Sequence, residues 1–178
     1  ENKFITNKRS GSIKGDSTTN QLLSITHMIR SAFDCDITKE VRSVYIDISK
    51  TFDKVWHEGL VFKLRQLGVS GNILSILNDF LSDRLQRTSI NGKSSQWNPI
   101  QTGVPQVSVL GPLLFLLYIN DLLHGMKSDA RIFADDTSLF VAVDDPQTSF
   151  ETLSHDLKLV EGWAKTMAHV IQPRSIQT

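Results

Sequence analysis

The segment "RIFADDTSLFVAV" at 131–143 sets two adjacent carboxylates, Asp135 and Asp136, between two apolar runs, with no Lys or Arg nearer than Arg131. Alternating apolar positions on both sides suit strands, and Asp favours turns, so the segment reads as strand, turn, strand with the acidic pair at the tip. Neighbouring carboxylates repel, and the repulsion strengthens where solvent is scarce. Turn chemistry alone explains most such pairs, but these flanks are more apolar than a solvent turn requires. A cation or a hydrogen-bonding turn has to compensate.

The rest of the chain supplies further elements. Leu22, Ile25, Ile29 and Phe33 fall at helical spacing behind a capping candidate after Asp16. Val44, Ile46 and Ile48 alternate with Tyr45 and Asp47, which predicts a strand ending near Asp47. Leu60, Leu64 and Leu67 mark a helix closed by Gly68, and Ile73, Leu77 and Phe80 mark another. "RLQRTSINGKSSQWNPI" reads as a hairpin turning at Asn91-Gly92, and Gly111-Pro112 opens a buried helix. Phe150, Leu153, Leu157 and Val160 predict one apolar face on a last helix. Helices and strands alternate without a simple βαβ repeat, so the expected class is α+β, an antiparallel sheet packed on helices.

Composition adds bounds. The 178 residues are 40% hydrophobic and 21% charged, which fits one globular domain. Nineteen basic and nineteen acidic residues cancel, so net charge lends no support to phosphate binding, although a local basic groove is compatible with it. Cys35 is the single cysteine; it forms no internal disulfide and points to a reducing, intracellular compartment, nucleus or cytoplasm alike. No secretory signal is expected at the N-terminus, and "LLFLLYI" at 113–119 is too short to span a bilayer, so no membrane partner is expected.

Asp47, at the end of its strand, is positioned to join Asp135 and Asp136 from a neighbouring strand. Three hard oxygen donors without a His or Cys set suit Mg²⁺ or Mn²⁺ rather than zinc. Two such ions stabilise the attacking and leaving oxygens of an in-line displacement, so the reaction class is phosphoryl or nucleotidyl transfer. Spacing alone leaves polymerase, nuclease and phosphatase open.

Three blocks narrow that choice: "YIDISKTFDKVWHEGL" at 45–60, "NGKSSQWNPIQTGVPQVSVLGPLLFLLYINDL" at 91–122 and "FADD" at 133–136. In order and spacing they resemble the reverse transcriptases of retrotransposons without long terminal repeats, of the jockey type, from about Gly15 to Trp163. The resemblance implies a right-hand polymerase palm with part of the fingers, the thumb being absent. It divides the chain into a poorly patterned N-terminal end, 1–15, a fingers and palm domain, 16–168, and a divergent tail, 169–178. It implies RNA-directed DNA synthesis on an RNA template and DNA primer from deoxynucleoside triphosphates. By position, Asp47, Asp135 and Asp136 are the catalytic residues and hold two metal ions, with the Ile48 backbone carbonyl as a further ligand. Phe52 matches the bulky residue beneath the incoming sugar, and Gln106 the residue that contacts the incoming nucleotide and template. Arg84, Arg87 and Lys93 are candidate template or primer contacts. Asp53 with Lys54 reads as a solvated pair, and His57 as structural or a cap beside Glu58.

The sequence departs from the family at named positions. Val107 follows Gln106 where the family has Gly, removing freedom for a positive φ and close backbone approach. Ile13 stands where the family carries an Arg, with Lys14 beside it, and the match fades after "EGWAKTMAH". Thumb and endonuclease regions of a full-length element are expected as partners. These departures carry the alternative reading, a decayed non-catalytic copy with at most weak nucleic-acid binding.

Overall fold

The structure, a computed structural model, describes residues 9–10, 17–34, 38, 40–47, 51–106, 108–133 and 136–168. They fall into two compact units: one takes the described residues among 1–49 and 120–165, the other those among 50–119 and 166–178. Cys35, the N-terminal end apart from Arg9–Ser10, and the tail 169–178 lie outside the described residues.

In the first unit, Ser17 starts helix α1, Thr18–Phe33: its backbone is extended and its Oγ accepts the Asn20 N–H at 3.2 Å, as an N-cap does. Four strands form the sheet, in the order β1 (Arg9–Ser10), β7 (Asp129–Phe133), β8 (Asp136–Ala142), β2 (Val41–Ile46). β2, β8 and β7 are antiparallel as expected, and β1 adds a short parallel edge to β7. Ala130, Ile132, Thr137 and Leu139 share one face and are at most 1% exposed. Asp145 caps the last helix, α5 (Pro146–Ala168), accepting the Thr148 N–H at 2.7 Å, with Pro146 in the first turn where it loses no helical bond. The Thr148 hydroxyl and N–H hold the Asp145 carboxyl below its ordinary range.

The second unit begins with a 3-10 turn, Thr51–Lys54, and holds α2 (His57–Gln66), α3 (Gly71–Leu81) and α4 (Leu110–Tyr118), with α2 packed on both of the others. α4 is the expected buried helix: Leu114, Phe115, Leu116 and Tyr118 are all at most 4% exposed. Each such apolar side chain contributes about 1.5–3 kcal/mol relative to exposure. The hairpin divides into two ladders, β3 (Arg84–Gln86) with β6 (Asn98–Ile100), and β4 (Ser89–Ile90) with β5 (Lys93–Ser94). Its tip has Asn91 at φ 50° and Gly92 at φ 77°, the double positive φ a two-residue turn of this hand requires. Among the described residues, no helix is long and apolar enough to cross a membrane.

Two helix faces differ from the periodicity. On α1, Leu22 and Phe33 stay exposed, and Gln21 is buried instead. On α5, Phe150 and Leu157 are exposed while Ser149 and Asp156 are buried. On α5 the reason is hydrogen bonding. Ser149 Oγ donates to Asp145 O at 2.8 Å. Asp156 accepts the backbone N–H groups of Lys127 (3.0 Å) and Ser128 (2.8 Å), and His155 Nδ1 lies 2.9 Å away. A polar side chain that satisfies backbone donors takes the inward position that the apolar count assigns to Leu or Phe.

Burial pushes the Asp156 carboxyl up, but the bonds from Ser128, Lys127 and His155 outweigh it and hold the group below the usual Asp range. A depressed folded value means that its stabilisation is complete above the unfolded carboxylate range and is lost as pH falls through the lower folded value. Asp156→Ala leaves two amide donors without an acceptor and is expected to cost about 2–3 kcal/mol near neutral pH. In denaturant melts from pH 7 to pH 2, the gap between wild type and this variant should narrow as acid protonates Asp156.

Candidate functional site

The register of β2 on β8 determines where the acidic residues stand. The ladder ends at Ile46 with Thr137, and continuing its register by one residue sets Asp47 opposite Asp136, the first residue of β8. Residues directly opposite in an antiparallel pair point to the same face, their Cα atoms about 4.5–5.5 Å apart. Both carboxylates are exposed. Their face also carries Ser43 and Tyr45, both exposed, and, further along β8, the buried Ser138 and Phe140. On this face β8 is buried at Ser138 and Phe140, whereas Ser43, Tyr45 and Asp47 along β2's path and Asp136 are exposed. Asp135 and Ile48 lie outside the described residues.

In the second unit, the segment Thr102–Gln106 is bonded to the 3-10 turn. The N–H of Gly103 donates to Val55 O and that of Val104 to Phe52 O, both at 2.8 Å; Thr102 Oγ1 donates to Asp53 O, also at 2.8 Å. Gly103 has φ +89°, and a Cβ there would lie 2.9 Å from both Asp53 Cα and Asp53 O. Its carbonyl accepts His57 Nε2 at 2.8 Å and Arg84 Nη1 at 3.1 Å. Since a carbonyl only accepts, His57 carries its proton on Nε2 and serves to hold this loop. The same contact gives Arg84 a structural partner, half-buried, whereas Arg87 and Lys93 are exposed on the hairpin and Arg87 stacks over Trp97 at 4.6 Å.

Phe52 is half-buried and lies against Phe115, ring centres 4.5 Å apart and planes tilted by 33°. Gln106 is exposed, and its Nε2 donates to Asp53 Oδ1 at 2.9 Å. Asp53 is thus more than a solvated partner of Lys54. Its role is missed by sequence pattern because Asp53 and Gln106 are 53 positions apart, although both sit in blocks already singled out. Val107 lies outside the described residues.

Among the described residues, no three His, Cys, Asp or Glu side chains form a group that holds a metal ion. Asp47 and Asp136 nonetheless fit a divalent ion by donor chemistry: two hard carboxylate groups, exposed and opposite each other, with no soft ligand beside them in the ladder.

An antiparallel sheet that carries exposed carboxylates, in a chain with this block order, defines the palm and fingers architecture of a nucleic-acid polymerase. A family model described as reverse transcriptase (RNA-dependent DNA polymerase) matches residues 3–175. The chain belongs to the reverse transcriptase family, and its relatives are of the jockey-like kind. It is 29% identical over 183 residues to the probable RNA-directed DNA polymerase from transposon BS of Drosophila melanogaster, covering 98% of this chain and 20% of that protein. With the probable RNA-directed DNA polymerase from transposon X-element of the same organism, identity is 36% over 129 residues, 68% of this chain and 14% of the relative. With the RNA-directed DNA polymerase from mobile element jockey, also of Drosophila melanogaster, it is 31% over 129 residues, with the same coverage. The chain thus spans a fifth or less of these relatives. Apo telomerase from Candida tropicalis, truncated from the C-terminal domain, shares the fold with a TM-score of 0.59 at 13% identity, over 85% of this chain and 32% of that one.

Gly103 is sensitive to a single methyl group, because both its φ and its clearance to the Asp53 backbone exclude a Cβ. Gly103→Ala is expected to cost at least about 2 kcal/mol. Urea melts check this; a loss below about 0.5 kcal/mol would mean that the loop does not hold this conformation in solution.

Proposed function

We propose that this chain supplies the palm and fingers of an RNA-directed DNA polymerase that adds deoxynucleotides to a primer 3′ end on an RNA template. The reading is supported by one observation above all: in a chain of the reverse transcriptase family, the β2–β8 register, continued one residue past Ile46 and Thr137, sets Asp47 opposite Asp136, both exposed. Asp47, Asp135 and Asp136 are the proposed catalytic and metal-holding residues, with the Ile48 carbonyl as a further ligand. Two bound divalent ions, Mg²⁺ or Mn²⁺, would supply charge stabilisation to the attacking 3′ oxygen and the departing pyrophosphate.

The chain's own residues do the rest. The carboxylates remain acceptor-only and concentrate negative charge where a cation is wanted. Phe52, backed by Phe115, offers a ring that is braced from one side, so a 2′-hydroxyl approaching its other side meets an unyielding surface. Gln106 contributes an amide toward nucleotide and template. Arg87 and Lys93 are proposed contacts to template or primer phosphates, which position without reading sequence. Arg84 is proposed to act at one remove, through Gly103.

The test is primer extension on an RNA template with Mg²⁺, comparing the chain with its Asp47→Asn and Asp136→Asn variants. Extension that falls by at least about a hundredfold in both variants supports the proposal; that is about 2.7 kcal/mol of lost transition-state stabilisation. The competing reading, a non-catalytic copy, rests on Val107 in place of Gly and is what a flat baseline in all three proteins would favour.

The opposed carboxylates have a second signature that does not depend on turnover. Like charges directly opposite in a sheet destabilise it, so Asp136→Asn should raise the melting temperature in metal-free buffer by about one or two degrees. Millimolar Mg²⁺ should stabilise the wild-type chain and leave Asp47→Asn unmoved. A variant that melts lower than wild type without metal would remove the claim that the two charges oppose each other.

A further inference from the structure

The contact between Asp53 and Gln106 determines more than a side-chain position. An amide side chain has two chemically different ends, and an exposed glutamine ordinarily samples both orientations. Asp53 removes that freedom. An ionised carboxylate accepts hydrogen bonds and donates none, so the end of Gln106 that meets Asp53 Oδ1 at 2.9 Å has to be the NH₂. The carbonyl end, Oε1, is then turned away from Asp53. We infer that Asp53 is a positioning residue that fixes the polarity of the Gln106 amide, so that Gln106 presents an acceptor outward and meets a hydrogen-bond donor of the bound nucleotide or template, a hydroxyl or a base N–H, rather than a phosphate oxygen. This rests on the proposed reading of Gln106 as a nucleotide contact.

Three observations support the inference. Asp53 is itself held, since its backbone carbonyl accepts Thr102 Oγ1 at 2.8 Å and its Cα and carbonyl lie against Gly103 too closely for any Cβ. The segment that carries Gln106 is tied to the same turn through Gly103 N–H to Val55 O and Val104 N–H to Phe52 O. Both ends of the pair are therefore anchored by bonds that involve neither the Asp53 carboxylate nor the Gln106 amide. The negative charge of Asp53 also disfavours a phosphate at the position next to it, which agrees with an outward acceptor.

Because those anchors do not use the Asp53 carboxylate, Asp53→Ala leaves them in place and deletes only that group. The test reads the Gln106 side-chain amide directly, by nuclear magnetic resonance of the 178-residue chain, and measures the affinity for a deoxynucleoside triphosphate with Mg²⁺ by titration of the same protein. In Asp53→Ala the Gln106 NH₂ pair should move to the values of a solvent-exposed glutamine with the backbone resonances of Thr102–Val104 unchanged. Asp53→Asn, whose carbonyl oxygen still accepts, should retain much of the original shift. Nucleotide binding should weaken about fivefold in Asp53→Ala and in Gln106→Ala, with the double variant no worse than either. The non-additivity separates positioning from a general structural role, which would lower stability and add to the loss at Gln106. An unchanged Gln106 amide signal in Asp53→Ala overturns the inference. So does weaker binding in Gln106→Ala with wild-type binding in Asp53→Ala. Wild-type binding by Gln106→Ala overturns instead the reading of Gln106 as a nucleotide contact, and with it the functional part of the inference.

Discussion

The antiparallel ladder between β2 and β8 is the constraint on which the acidic face depends. It runs for six residue pairs, from Val41 with Ala142 to Ile46 with Thr137. In a strand, side chains alternate between faces, so a slip of one residue would send Asp47 to the face that carries Thr137, Leu139 and Ile132, which are at most 1% exposed. A carboxylate there would lose its water without gaining a partner, at a cost of several kcal/mol. The buried stripe thus specifies the register, and the register positions the carboxylates. The same packing that stabilises the sheet also determines which charges face one another.

Around Gly103, backbone approach and hydrogen bonding have a comparable part in the second unit. Its carbonyl accepts from two side chains distant in sequence, His57 and Arg84, while its N–H reaches Val55. A single residue without a Cβ lets the "GVPQ" segment lie directly on the backbone of Asp53. The consequence extends to Gln106 three positions on, whose amide meets Asp53 only because the two backbones are already in contact. His57, read from the sequence as structural or a cap, and Arg84, read as a template or primer contact, both bond to the carbonyl they share.

Much of this was legible in the sequence, for reasons that differ from element to element. The Asn91-Gly92 turn, the N-terminal Pro of α4 and the strands around "FADD" are set by local backbone preferences, which a short window of sequence contains. Asp47 and Asp136 could be expected to converge because both end strands of suitable pattern. The inward faces of α1 and α5 were not legible. Periodicity counts apolar side chains, whereas Asp156 is buried for the sake of the Lys127 and Ser128 amides, 29 and 28 positions away. The Asp53–Gln106 pair escaped for the same reason: each side chain looks solvated until the partner brought by the fold is known.

Two aspartates, Asp156 and Asp136, illustrate opposite ways in which this chain accommodates negative charge. Asp156 is fully buried and compensated, with backbone donors and an imidazole around it, and its carboxyl is held below the usual range. Its value is structural: it fixes the turn through Lys127 and Ser128 that leads directly into β7, the strand ending just before the acidic pair. Asp136, at the other end of that hairpin, is exposed and stands opposite Asp47, another carboxylate. No rule of packing rewards that arrangement, since like charges across a ladder weaken it and an Asn would satisfy the turn equally well. A fold selected for stability alone would therefore be expected to satisfy both aspartates in the manner of Asp156. The fold instead satisfies the one leading into β7 and leaves Asp136 exposed with a like charge set against it, the arrangement on which the proposed metal site rests.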